Sequence, residues 1–209
     1  MAICPTIGII CFIGLYVYST RLYPGGSQEN LNSIGFDWIN NYWCNLMNVA
    51  GMNGQPNAAR PFSITAMVIL CFSLTLFFVQ FANQIAQNKF WKFVITFLGS
   101  LAMLCSVFIF TEYHDLMIVL ASIFGAFVVL GIIWEVFRSG LIFIKYGGII
   151  CVLFLAINNL IYFTEKGISA LALIQKVTFG CVLLWVVCLN IIMVKYRKKK
   201  TSIKFHKII

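Results

Sequence analysis

Residues 61–82 read PFSITAMVILCFSLTLFFVQFA, a run of 22 residues without a charged side chain. A helix needs about 20 mostly apolar residues to cross the roughly 30 Å hydrocarbon core of a membrane. Five further stretches are mostly apolar, with at most one charged residue each, and lie at 2–18, 90–110, 116–137, 141–163 and 170–194. They lack the strict polar and apolar alternation of a membrane β-barrel. The sequence therefore predicts an all-α, polytopic membrane helix bundle of six transmembrane helices.

The composition supports this class and excludes a soluble fold. Hydrophobic residues make up 61% of the 209 residues and charged residues 10%, against about 25% charged in a soluble domain. The net charge of +9 is concentrated, because seven of the fifteen Lys and Arg lie between 195 and 207. We expect a transmembrane domain over 1–194, with an outer loop at 19–60, followed by a basic cytoplasmic tail over 195–209.

The basic residues also predict the orientation of the bundle. Lys and Arg are enriched in the cytoplasmic connections of membrane proteins, which assigns the 195–207 tail to the cytoplasm. Lys89, Lys92 and Arg138 fall on the same side in a six-span topology. We predict a multi-pass protein of the cell membrane with both termini cytoplasmic and the 19–60, 111–115 and 164–169 loops outside. Labelling of Cys44, the one cysteine outside the predicted spans, would report this orientation.

The outer loop has a pattern typical of a short amphipathic helix over 36–50. Its polar and apolar residues recur at helical spacing on two different faces. The polar face holds Asp37, Asn41, Asn45 and Asn48, and the apolar face holds Phe36, Ile39, Trp43, Leu46, Met47 and Ala50. Such a helix is suited to lying across the bundle mouth or in the headgroup layer. It either only seals the bundle or roofs a ligand site with its polar face.

Several short motifs in the connections suggest a family. They are Tyr23-Pro24-Gly25-Gly26, then Asn41 and Leu46, then Gly54-Gln55-Pro56-Asn57-Ala58, and Glu112-Tyr113-His114-Asp115 after the third span. Together they resemble a bacterial six-span family catalogued as domain of unknown function nine-nine-eight. Asn45 stands where such loops often carry an acidic residue. The resemblance implies the six-span fold and a bacterial inner-membrane location, and it carries over no established activity.

Ionisable residues cluster at two places in the predicted bundle. Glu112, His114 and Asp115 share the turn between the third and fourth spans, where they could bind a metal or act as acid and base, or simply form a solvated turn. One His falls short of the usual set of zinc ligands, so we predict no metal and no cofactor. At the inner end of the fourth span, Glu135 and Arg138 are three residues apart and are expected to neutralise each other.

Lys176 lies inside the sixth predicted span, at a depth near ~10 Å by the helical rise. An ammonium at this depth either snorkels to the headgroups or faces the bundle interior. If it faces inward, we expect it to pair with Asp115, Glu112 or Asp37 beneath the predicted loop helix. The predicted ligand-binding residues are Asp37, Asn41, Asn158 and Lys176.

Three classes of function remain open. We expect a non-enzymatic protein that binds a lipid headgroup or a protein partner in a polar pocket on the outer face. One alternative is a membrane-embedded enzyme acting on a lipid headgroup through Glu112, His114 and Asp115. A small transporter is the other, although the spans lack the breaks typical of transporters. The 195–207 tail predicts contact with anionic headgroups, and no nucleic-acid partner is predicted because one short tail is too little basic surface.

Overall fold

The computed structural model of the protein describes residues 2–139 and 142–206, without the side chains of 142–143 and 197–206. Within these ranges the chain forms six α-helices and has no strand beyond isolated bridges. They are α1 (Cys4–Thr20), α2 (Arg60–Gln84), α3 (Lys89–Val107), α4 (His114–Arg138), α5 (Ile142–Thr164) and α6 (Ile168–His206). The all-α prediction is confirmed, and each helix lies at one of the predicted spans.

Five helices in the described part of the chain are long and apolar enough to cross a membrane. These are α2 to α6, with α3 extended by a 3-10 helix at Phe108–Phe110. The remaining helix, α1, has 17 residues and is shorter than the other five. The apolar run of α6 ends at Val194, but the helix itself continues to His206 and so enters the predicted tail.

Local sequence explains where these helices begin. Pro5 and Pro61 occupy the first turns of α1 and α2, where a missing backbone N–H costs no hydrogen bond. Asn88 precedes α3, and its side-chain oxygen accepts hydrogen bonds from the N–H groups of Phe90 and Trp91. Such a cap satisfies donors that the helix itself leaves free.

The helices pack mainly against their sequence neighbours, and α6 returns to contact α1 and α2. The contact between α1 and α2 is close, because a Cβ on Gly8 would lie 1.7 Å from Ser73 Oγ. Thr6 Oγ1 in α1 donates to Asn190 Oδ1 in α6 at 2.8 Å, and Asn190 Nδ2 donates to the Ala2 carbonyl at 3.2 Å. The start of α1 therefore meets a late position of α6.

Residues 21–59 fold into a compact connection that we call the cap, and the side of the bundle that carries it is the cap face. Asn57 ties the cap together, since its Nδ2 lies 2.9 to 3.2 Å from the carbonyls of Asn45, Leu46 and Asn48. Ser63 in α2 donates to the same Leu46 carbonyl at 2.7 Å. These bonds hold the cap to the first turn of α2.

The predicted amphipathic helix over 36–50 is wrong. Only Trp43–Met47 is helical, as a five-residue 3-10 helix, and 36–42 are irregular apart from a turn at 38–40. The Asp37 carboxylate accepts the N–H groups of Ile39 and Asn40, and the Asn41 side chain accepts the N–H of Asp37. Short polar side chains that bond nearby backbone groups compete with the helix, which is why the helical spacing did not produce one.

The expected pair between Glu135 and Arg138 is also wrong. Glu135 is fully buried, and its two oxygens accept the backbone N–H groups of Gln87 at 2.8 Å and of Asn88 at 3.2 Å. Arg138 is exposed, and the one ion pair among the described residues lies elsewhere. The carboxylate therefore fastens the connection between α2 and α3 to α4.

Candidate functional site

A cavity of about 330 Å³ lies between α1 and α6 and reaches the underside of the cap. We call it the α1–α6 groove. Its wall is apolar except for the side-chain polar atoms of Tyr16, Trp43 and Lys176, and several rim residues are exposed on the side of the bundle. The lining residues are Ile9, Ile10, Phe12, Ile13, Tyr16, Val17, Trp43, Lys176, Phe179, Gly180, Leu183, Leu184 and Val187.

Lys176 lies at the end of this groove nearest the cap and connects the groove to the cap. Its Nζ donates to the backbone carbonyl of Asn41 in the cap and, at 2.8 Å, to that of Ala172 one turn earlier in α6. The ammonium also lies 5.8 Å from the centroid of the Phe36 ring, within the range of a cation–π contact. An ammonium has three N–H donors, so one remains without an acceptor among the described residues.

The predicted ion pair of Lys176 with Asp115, Glu112 or Asp37 is wrong. The only ion pair in the described ranges joins His114 and Asp115. Of the two orientations considered, Lys176 takes the inward one, but backbone carbonyls of the cap and of α6 stabilise its charge instead of a carboxylate. The sequence pattern could not reveal this arrangement, because every residue has a carbonyl and only the fold selects which one is near.

The Asp37 carboxylate accepts hydrogen bonds within its own turn and does not pair with Lys176. Its Oδ1 accepts the N–H groups of Ile39 and Asn40 at 2.9 and 3.1 Å, and its Oδ2 accepts Asn40 Nδ2 at 2.8 Å. Partial burial acts to raise the pKa of Asp37, but hydrogen bonds from Asn40 and Ile39 outweigh it and lower the pKa below its usual range. The carboxylate is therefore ionised near neutral pH and stabilises the cap.

Trp43 closes the groove beneath the cap. Its ring lies edge-on to Tyr16 at 4.8 Å, and Tyr16 and Phe179 both lie against Phe12, at 4.6 and 5.6 Å. The backbone N–H of Trp43 donates to Gln175 Oε1 in α6 at 3.4 Å. Its indole Nε1 is buried and has no acceptor among the described residues. The sequence indicated only an apolar role for Trp43, so this second free donor near Lys176 was missed.

The turn with Glu112, His114 and Asp115 is largely open to solvent. His114 Nδ1 lies 3.0 Å from Asp115 Oδ1, and the Asp115 side chain is 86% exposed. Glu112 is exposed and makes no ion pair with any described residue. No group of three His, Cys, Asp or Glu that could hold a metal occurs in the described ranges. The turn lies at the cap face, since Phe108–Phe110 contacts the Trp43–Met47 helix.

The structure therefore brings together two of the four predicted ligand-binding residues. Asn41 and Lys176 meet through the Asn41 carbonyl, whereas Asp37 bonds its own turn. Asn158 lies in α5 and does not line the groove, although its buried Oδ1 has no partner among the described residues. The predicted lipid contact of the basic tail concerns 195–207, and most of those side chains lie outside the described residues.

The fold and the site define a multi-pass helical membrane protein with a folded cap and a laterally open groove. No protein-family model matches this chain. Similarly, no curated protein and no solved structure is similar to it. The resemblance to the six-span family catalogued as domain of unknown function nine-nine-eight thus stays a prediction.

Proposed function

We propose that this chain is a six-span, non-enzymatic membrane protein that binds an anionic lipid headgroup at the cap face. The observation that carries the proposal is the free N–H of Lys176 at the upper end of an apolar groove. Hydrogen bonds between an ammonium and a phosphate or carboxylate oxygen are among the strong ones in proteins. The exposed turn at Glu112, His114 and Asp115 lends less support to an enzyme, because nothing there shields a reaction from water.

The position of α1 supports the sixth span. Its first turn contacts Asn190, and Tyr16 near its last turn contacts Trp43 beside Lys176. On α6, Lys176 and Asn190 are about 21 Å apart at a rise of about 1.5 Å per residue. A helix that follows α6 over this depth crosses most of the hydrocarbon core. Both termini then share one side, which the basic tail favours as the cytoplasmic side of the cell membrane.

Cysteines placed on opposite faces test this topology. Asn32 is exposed in the cap and Gln87 is exposed in the connection between α2 and α3. We expect an impermeant maleimide to modify an Asn32→Cys variant in intact cells, and a Gln87→Cys variant only after the membrane is permeabilised. The opposite pattern would reverse the orientation, and labelling of both variants in intact cells would contradict the crossing of α2.

The native Cys44 is not expected to report the orientation by maleimide labelling, contrary to the sequence-based expectation. Burial raises the pKa of the Cys44 thiol to about 11, and the reactive species is the thiolate. We therefore expect Cys44 to remain unmodified at pH 7 in the folded protein, as followed by mass spectrometry of its peptide. Modification of Cys44 as fast as that of Asn32→Cys would mean that the 3-10 helix around it opens readily.

Substitution of Lys176 tests headgroup binding. We expect the purified protein in nanodiscs to retain phosphatidylglycerol in preference to phosphatidylcholine, as measured by native mass spectrometry. Lys176→Met is expected to reduce that preference about tenfold, because a charge-assisted hydrogen bond contributes about 1.5 kcal/mol. Lys176→Arg keeps the positive charge and should retain most of the preference.

Lys166→Met is the matched control, since Lys166 is exposed in the turn between α5 and α6. It removes one positive charge without touching the groove and should bind both lipids like the wild type. Equal loss in the Lys166 and Lys176 variants would indicate diffuse attraction of anionic lipid instead of a site. A wild-type protein that does not distinguish the two lipids would refute the proposed function.

A further inference from the structure

We infer that the hydrocarbon chain of the bound lipid lies in the α1–α6 groove, so that the ligand is an anionic membrane lipid held at both its head and one chain. This inference rests on the proposed function and adds where the rest of the molecule goes. Its basis is the continuity of the site, because Lys176 and Trp43 line the same cavity as the apolar residues farther along α1 and α6.

The dimensions of the groove suit one chain. It follows α1 from Ile9 to Val17 and α6 from Lys176 to Val187, about 12 Å and about 16 Å at the helical rise of about 1.5 Å per residue. One leaflet of the hydrocarbon core is about 15 Å thick, half of the roughly 30 Å total. The volume of about 330 Å³ lies at the low end of the roughly 300–1,000 Å³ of ligand sites.

The shape and polarity of the groove also fit a chain that enters from the membrane. Ile10, Ile13 and Leu184 line it and are exposed at its rim, so the opening faces sideways, toward lipid. Lipid chains are as apolar as these side chains, so a groove selects a chain by close packing rather than by removing it from water. The free donor of Lys176 at one end then fixes which way the lipid lies, with its anionic head beneath the cap.

A side chain added at Gly180 tests this placement. Gly180 lines the groove, and a Cβ built there would meet no atom within 4 Å. Leucine at this position would therefore project into open space that the lipid chain is inferred to occupy. Gly14 in α1 is the matched control, because a Cβ there also meets nothing within 4 Å and Gly14 does not line the groove.

We expect Gly180→Leu to lower the retention of phosphatidylglycerol in nanodiscs by about tenfold, because the leucine side chain takes the place of part of the lipid chain and removes its packing contacts with the groove. Gly14→Leu should retain as much lipid as the wild type. If Gly180→Leu retained as much lipid as the wild type while Lys176→Met retained less, the placement of the lipid chain in the groove would be wrong. Headgroup binding by Lys176 would still be supported. If the wild type itself did not retain phosphatidylglycerol in preference to phosphatidylcholine, the proposed function would be refuted.

Photo-crosslinking and the oligomeric state provide two further measurements of what occupies the groove. Phosphatidylglycerol with a diazirine in one chain should crosslink the wild type at 176–187, and Lys176→Met should reduce these crosslinks without reducing those at the exposed Phe93 and Phe97 of α3. Crosslinks at 176–187 that do not depend on Lys176 would contradict the inference even if Gly180→Leu did not fold. If the wild type proved to be an oligomer and Gly180→Leu made it monomeric without changing lipid retention, the groove would be assigned to a second copy of this chain.

Discussion

Replacement of Glu135 by alanine is expected to lower the free energy of unfolding by about 3 kcal/mol, because it removes two hydrogen bonds between a buried carboxylate and backbone N–H groups, each worth about 1.5 kcal/mol. The Glu135 oxygens accept the N–H groups of Gln87 and Asn88, and the residue is 1% exposed. Removing the side chain would also leave a void in a close-packed region, which adds to the loss. Reversible unfolding in mixed micelles measures the change.

Two companion substitutions separate this role from a charge effect. Glu135→Gln keeps one acceptor oxygen but presents an NH2 group to the other donor, so an intermediate loss is expected. Arg138→Ala should change stability by less than about 0.5 kcal/mol, as is usual for surface positions. If Arg138→Ala were as destabilising as Glu135→Ala, the result would support the predicted ion pair between these two residues. It would contradict the role of Glu135 in holding the α2–α3 connection.

The second large effect is expected in the cap. Asn57→Ala removes the donor to the carbonyls of Asn45, Leu46 and Asn48 and the acceptor for the N–H of Ala59 at 3.0 Å. Asn57 is 7% exposed, so water does not readily replace these partners. We expect a loss of about 2 to 3 kcal/mol, together with faster amide hydrogen exchange across Trp43–Met47.

Asn57→Asp is the informative comparison, since it has nearly the same shape. It retains the acceptor for Ala59 but places a carboxylate oxygen against three carbonyls, so it should be at least as destabilising as Asn57→Ala. Asn48→Ala serves as the control, because the Asn48 side chain is exposed and only its backbone carbonyl takes part. Protection of Trp43–Met47 that survives both Asn57 substitutions would show that other contacts hold the cap.

The Asn57 variants should also weaken lipid binding if the proposed site is correct. Lys176 is placed by the Asn41 carbonyl, and Asn41 is held by its side-chain bond to the Gly26 carbonyl at 2.8 Å. A cap released from α2 no longer presents that carbonyl. The stability of the cap and the geometry of the lipid site therefore depend on the same hydrogen bonds.

The sequence was sufficient for the parts of the fold that depend on local hydrophobicity. The run at 61–82 is apolar on every face, and α2 lies there within two residues at each end. The helix starts also have local causes, since Pro5 and Pro61 lie in the first turns of α1 and α2 and Asn88 caps α3. In the cap the same approach failed, because Asp37 and Asn41 have helical spacing but bond to nearby backbone groups, which a count of polar and apolar positions does not register.

By itself, then, the sequence determined the helical class, the position of each helix and the presence of an unusual lysine inside the last one. Only the tertiary structure decided what surrounds that lysine: a cap carbonyl 135 residues away in sequence, a buried indole and an open groove beside α1. The physical reason is that transfer of a helix into lipid depends on the sum of its own side chains. A hydrogen bond across the bundle depends on a distance of about 3 Å that only packing can set.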